Sequence, residues 1–118
     1  MIEGELQSLL EGFAVGPVDP ATDVVTTPFS DRDGNAIRIF VRRRGSQYYL
    51  FHEKGRIFGP EKIGRFTRPE VREKLRDVLR RFDVYNINGE ISTEATGENL
   101  PARMKNLIQA LVVIDGMF

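Results

Sequence analysis

The stretch Ala36–His52, AIRIFVRRRGSQYYLFH, decides the reading of this chain. From Ala36 to Arg43 the side chains alternate, with Ile37, Ile39 and Val41 on one side and Arg38, Phe40 and Arg42 on the other. A period of two is the signature of a strand with two different faces. Arg44-Gly45-Ser46 supplies a tight turn, and Gln47–His52 returns as a second strand. If a short turn pairs Arg42 with Gln47, Phe40 faces Tyr49 and Arg38 faces Phe51. The result is a sheet face of aromatics edged by arginines. Aromatic faces stack bases and arginines hold phosphates, so such a face suits single-stranded nucleic acid. The competing reading is that a helix lies on this face and the aromatics are core, the commoner fate of large rings.

Outward from this hairpin, the other elements follow the same rules. Residues 2–13 read as an amphipathic helix with Ile2, Leu6, Leu9, Leu10 and Phe13 on one stripe. Gly16-Pro17 and Asp19-Pro20 break it. Asp23–Phe29 is β-branched and reads as a short strand, and the cluster Ser30–Asn35 as a turn. Arg56–Phe58 offers a further short strand. Thr67-Arg68-Pro69-Glu70 has the form of a capping box, followed by a helix over 68–81 with Val71, Leu75, Val78, Leu79 and Phe82 as its apolar stripe. Asn88-Gly89, between Val84–Ile87 and Glu90–Thr93, predicts a hairpin. A last helix runs from about Leu100 to Ile114, with Leu100, Met104, Leu107, Ile108, Leu111 and Val112 inward.

These elements predict an α+β fold. A small antiparallel sheet of 4–6 strands carries three helices, in the order α-β-β-β-α-β-β-α, as a single domain over residues 1–118.

Composition narrows the chemistry by exclusion. The 118-residue chain is 41% hydrophobic and 29% charged, an ordinary globular balance. It has no cysteine, which removes disulfides, zinc–thiolate sites and thiol nucleophiles. A single histidine, His52, excludes multi-histidine metal sites. His52 beside Glu53 is the one acid–base candidate, but adjacent strand residues point to opposite faces, which favours a structural histidine over a hydrolase centre. The Asp31–Asn35 segment has its glycine two positions early for a calcium loop. Neither a phosphate loop nor a dinucleotide fingerprint is present. The expectation is a protein without catalytic activity, cofactor or metal. The acidic N-terminus is unlike a signal peptide, and no apolar run could span a bilayer, so cytoplasm is the expected compartment.

Charge is unevenly placed. Residues 1–31 hold six acids and no base, residues 32–81 fifteen bases and six acids, and residues 82–118 two bases and five acids. Either the acidic ends fold over the basic middle and neutralise it, or the middle presents a surface for a polyanion. Arg38, Arg42, Arg43 and Arg44 are the candidate binding residues on the strands. Arg72, Arg76 and Arg80 form a second candidate set, a ridge at four-residue spacing on the helix. The plainer account of that ridge is a solvated face paired with Glu73 and Asp77.

The segments Asp33–Phe40 and Tyr49–Gly55, the helix, the hairpin and Leu107-Ile108-Gln109-Ala110-Leu111 together resemble a small prokaryotic family, domain of unknown function 1828. The likeness runs over roughly Leu6 to Phe118. Where the family has a Leu-Thr-Asp-Asp-Gly-like turn, this chain has Phe51-His52-Glu53-Lys54-Gly55, with Lys54 replacing the second acid. The resemblance implies a phage or mobile-element setting and no particular activity.

The expected function is therefore that of an accessory binding module, engaging a nucleic acid or a nucleic-acid-handling protein through its basic middle. The alternative is a protein–protein inhibitor that blocks a host defence complex sterically, acting through an apolar or acidic surface such as Glu3 and Glu11. A hydrolase centred on His52 stands third. The nearly all-apolar run Leu107–Phe118 belongs either in the core or at a homodimer seam.

Overall fold

A computed structural model of the chain describes residues 12–31, 33–52, 68–87 and 90–117. Among these, six strands form one antiparallel sheet: β1 (Ala14–Asp19), β2 (Thr22–Ser30), β3 (Ala36–Arg44), β4 (Gln47–His52), β5 (Tyr85–Ile87) and β6 (Glu90–Thr96). Their order across the sheet is β1-β2-β3-β4-β6-β5. Two helices accompany them, α1 (Pro69–Phe82) between β4 and β5, and α2 (Leu100–Gly116) after β6. The fold is thus α+β, but the described residues run β-β-β-β-α-β-β-α. The predicted helix over 2–13 lies almost wholly outside the described residues, and its last residue, Phe13, precedes a strand rather than ending a helix. The short strand read at Arg56–Phe58 also lies outside them.

β1 corrects the sequence reading, which treated Gly16-Pro17 and Asp19-Pro20 only as breaks. The strand pairs with β2 alone, so it is a sheet edge. An edge strand tolerates proline because half of its backbone groups need no ladder partner. A register shift between Pro17 and Asp19 bends its end.

The β3–β4 hairpin is tighter than expected. Arg44 pairs with Gln47, leaving Gly45-Ser46 as a two-residue loop. Gly45 has φ of 60° while Ser46 stays at negative φ, the pattern of a II′ turn with glycine first. Consequently Arg42 faces Tyr49 and Phe40 faces Phe51, not the pairing of Arg42 with Gln47. The slip is two residues, so each side chain keeps its face.

α1 begins one residue later than the capping-box reading. Arg68 is the N-cap in extended conformation, its carbonyl accepts the Val71 and Arg72 amides, and Pro69 occupies the first turn. Thr67 lies outside the described residues. The helix ends at Asp83, which is left-handed at φ 54° and ψ 50°. There the Asp83 amide donates to the Arg80 carbonyl and the Val84 amide to the Leu79 carbonyl, closing the helix in a Schellman pattern.

One face of the sheet meets the helices. Val25, Ile37, Ile39, Val41, Leu50, Ile91 and Ala95 project from it into a core completed by Leu75 and Val78 of α1 and by Leu100, Met104, Leu107, Ile108, Leu111 and Ile114 of α2. The inward face read for α2 is right except at Val112, which is 44% exposed. Its neighbour Val113 is exposed as well, while Ala110 and Ile114 turn in. No helix among the described residues is long and apolar enough to cross a membrane.

Candidate nucleic-acid interface

The other face of the sheet is built from the alternate residues of the same strands. In register across it stand Thr22, Val24 and Thr26 of β2, Arg38, Phe40, Arg42 and Arg44 of β3, and Gln47, Tyr49 and Phe51 of β4. Beyond them come Ser92, Glu94 and Thr96 of β6, then Tyr85 of β5 beside Ser92. Both described helices lie on the opposite side, so neither covers these aromatics. Phe40, Tyr49 and Phe51 are half-buried, and Thr22 and Ser92 on the same face are buried, while Arg42, Arg44 and Glu94 are exposed.

They form a ladder. Phe40 and Phe51 stack with centroids 5.3 Å apart and planes 15° from parallel. Tyr49 and Phe51 stack at 5.2 Å and 27°. Arginines then close over the rings, with the Arg42 guanidinium carbon 5.2 Å from the Phe51 centroid and that of Arg44 4.7 Å from Tyr49. Such cation–π contacts contribute about 0.5–1 kcal/mol each at exposed sites, and they restrict the guanidinium groups to a flat posture against the rings. Arg42 Nε also donates to Thr22 Oγ1 at 3.4 Å.

Charge on this face is not uniform. The Tyr49 hydroxyl donates to Glu90 Oε1 at 2.6 Å. Burial holds that phenol above its ordinary value of 10.0, and the bond to Glu90 adds to the effect, while Ser92 and Arg44 oppose it. Glu94 is exposed, opposite Tyr49 in the β4–β6 register. Across the face, then, β3 carries arginines on either side of Phe40, β4 carries Tyr49 and Phe51, and β6 carries carboxylates.

The candidate arginines do not share one surface. Arg38, Arg42 and Arg44 lie on the aromatic face. Arg43, with the opposite parity, lines a small cavity of about 220 Å³ with Pro17, Asp19, Thr22, Asp23 and Tyr48. Arg72, Arg76 and Arg80 are exposed on α1, in the helical layer behind the sheet. Among the described residues the ion pair is Arg103–Asp83. No described carboxylate lies within ion-pair distance of Arg42, Arg43, Arg44, Arg72, Arg76 or Arg80, so the expected pairing of the α1 ridge with Glu73 and Asp77 is not formed.

His52 is 2% exposed, on the core face opposite Ile39. The Ile91 amide donates to its Nδ1 at 2.9 Å, so the imidazole serves as an acceptor for the edge of β6. Glu53, its expected companion, lies outside the described residues. The Asp31 carboxylate is likewise engaged in its own turn, where Oδ1 accepts the Asp33 and Asn35 amides, each at 2.9 Å. No group of three potential metal ligands occurs among the described residues.

Sequence reasoning found the rings and arginines but missed Thr22, Glu90 and Glu94. Those residues join the face through strand order, and nothing local in the sequence places β6 beside β4.

Residues 27–114 match the family model described as domain of unknown function DUF1828, and the chain belongs to that family. No curated protein and no solved structure matches it.

Proposed function

We propose that this member of the DUF1828 family is a nucleic-acid-binding module that performs no catalysis and works through the β3–β4 sheet face. One observation carries the reading. Three rings stack across two strands, and two guanidinium groups lie against them with no carboxylate partner among the described residues. The exposed guanidinium planes that cap these rings offer flat faces on which bases can stack, and their N–H groups suit phosphates. The α1 arginines, behind the sheet, are left as a solvated ridge.

Fluorescence anisotropy with labelled oligonucleotides at rising salt tests this. Arg42→Ala with Arg44→Ala should weaken binding and flatten the salt dependence by about 1.4 in logarithmic slope if each residue holds one phosphate of a single strand. Arg76→Ala with Arg80→Ala should leave both unchanged. Absence of binding at low salt, or equal losses from the two pairs, refutes the proposal.

A protein partner is the second reading, in which the module blocks a host complex. The observation favouring it is Tyr85 and Ile87, each 54% exposed on the same face at the sheet edge. Capture of a partner that survives nuclease treatment and is lost on Tyr85→Ser with Ile87→Ser would support it.

A further inference from the structure

Resting on the nucleic-acid reading, we infer that this face selects a single strand, laid with its phosphates along β3 and its bases turned toward β6, where the Glu94 carboxylate accepts from base amino groups. The order of chemistry across the sheet gives the direction. Arginines flank Phe40 on β3, the other two rings stand on β4 and carboxylates on β6. A strand lying the other way would set its phosphates against Glu90 and Glu94.

The spacing along β3 fits this placement. Arg42 and Arg44 are two residues apart on one face, about 6.8 Å along the strand, comparable to one phosphate step in an extended single strand. Their guanidinium groups are already positioned, Arg42 by Phe51 and Thr22 and Arg44 by Tyr49. Little side-chain freedom is then lost when a phosphate arrives.

Two strand spacings separate β3 from β6, roughly 9–10 Å, about the distance from a backbone phosphate to the far edge of its base. A duplex does not fit the stripe. Its bases are paired and cannot reach the rings, and its second phosphate row would come down near the acidic side.

The two glutamates differ in availability. Glu90 already accepts the Tyr49 hydroxyl. Glu94 is exposed, with no described cation in ion-pair range. A carboxylate accepts from the amino group of cytosine, whereas thymine presents a carbonyl oxygen at the same position. The face should therefore prefer cytosine to thymine.

The test titrates the full chain with oligo-dC, oligo-dT and a mixed-sequence duplex, each of about 12 nucleotides, within the span of known single-strand platforms. Oligo-dC is expected to bind about tenfold more tightly than oligo-dT, the lower part of the range for one base contact. Glu94→Ala should abolish that preference while oligo-dT affinity is kept or improved, because a repulsive charge is removed. A duplex bound as tightly as the single strands, or a preference untouched by Glu94→Ala, overturns the inference. In that case, binding that still depends on Arg42 and Arg44 leaves the broader proposal standing. Failure of all three probes to bind overturns both.

Discussion

Replacing His52 separates a structural histidine from a chemical one. Its Nδ1 takes the Ile91 amide at 2.9 Å in a site from which water is shut out. His52→Ala leaves that amide without an acceptor, at about 1–3 kcal/mol for an unsatisfied buried donor. Removing the packed ring adds roughly 2 kcal/mol or more in lost contacts and cavity. The sum is about 3–5 kcal/mol, a large share of the 5–15 kcal/mol typical of a domain. With a urea slope near 2 kcal/mol per molar, the unfolding midpoint should fall by roughly 2 M.

His52→Asn refines the test, because Asn Oδ1 falls close to the place of Nδ1. It should restore the hydrogen bond and recover about 1–3 kcal/mol relative to alanine. Circular dichroism in urea measures both midpoints, and hydrogen exchange at the Ile91 amide reports the bond itself. Equal midpoints for the two variants, with Ile91 exchange unchanged from wild type, would show that the imidazole does not hold β6.

Other consequences of the structure are open to similar measurement. Because the folded state holds the Tyr49 proton more tightly than the unfolded chain, its contribution is constant below pH 10 and is lost as pH rises through the raised folded value. Thermal melts between pH 9 and 11.5 should show that decline, and Tyr49→Phe should reduce it. Gly45→Ala meets no atom within 4 Å, so its cost is the left-handed backbone alone, about 1–2 kcal/mol in a denaturant melt. Asp83→Gly relieves the αL strain while losing the exposed Arg103 ion pair, and the two effects should offset to within about 1 kcal/mol; Asp83→Ala loses the pair without relief and should be the less stable.

The parts of this fold that show in the sequence are those whose signal is local. The two-residue period of Ile37, Ile39 and Val41 against Arg38, Phe40 and Arg42 sorts both faces correctly. The connection implied by pairing Arg42 with Gln47 is two residues longer than the observed Gly45-Ser46 loop, and the faces survive only because two is the period of a strand. A slip of one would have buried the arginines. The α1 stripe shows equally well, since Leu75 and Val78 reach the core as their spacing requires. β1 does not show, because Gly16-Pro17 and Asp19-Pro20 are punctuation in a loop and tolerable in an edge strand alike. The acidic side of the candidate face does not show either. Glu90 and Glu94 are ordinary surface residues until β6 docks beside β4, a pairing between segments about forty residues apart.

That docking has a kinetic meaning. β1 to β4 form a meander of sequence-neighbouring hairpins, each closing quickly, whereas the β4–β6 seam must close a long intervening chain. The Tyr49–Glu90 bond and the pairing of Tyr49 with Glu94 cross that seam. A nascent chain that has made only the meander carries the arginines and rings without their acidic border. On the proposed reading, discrimination among bases would therefore arrive last, after the capacity to hold phosphate, because the carboxylates join the face only when β6 docks.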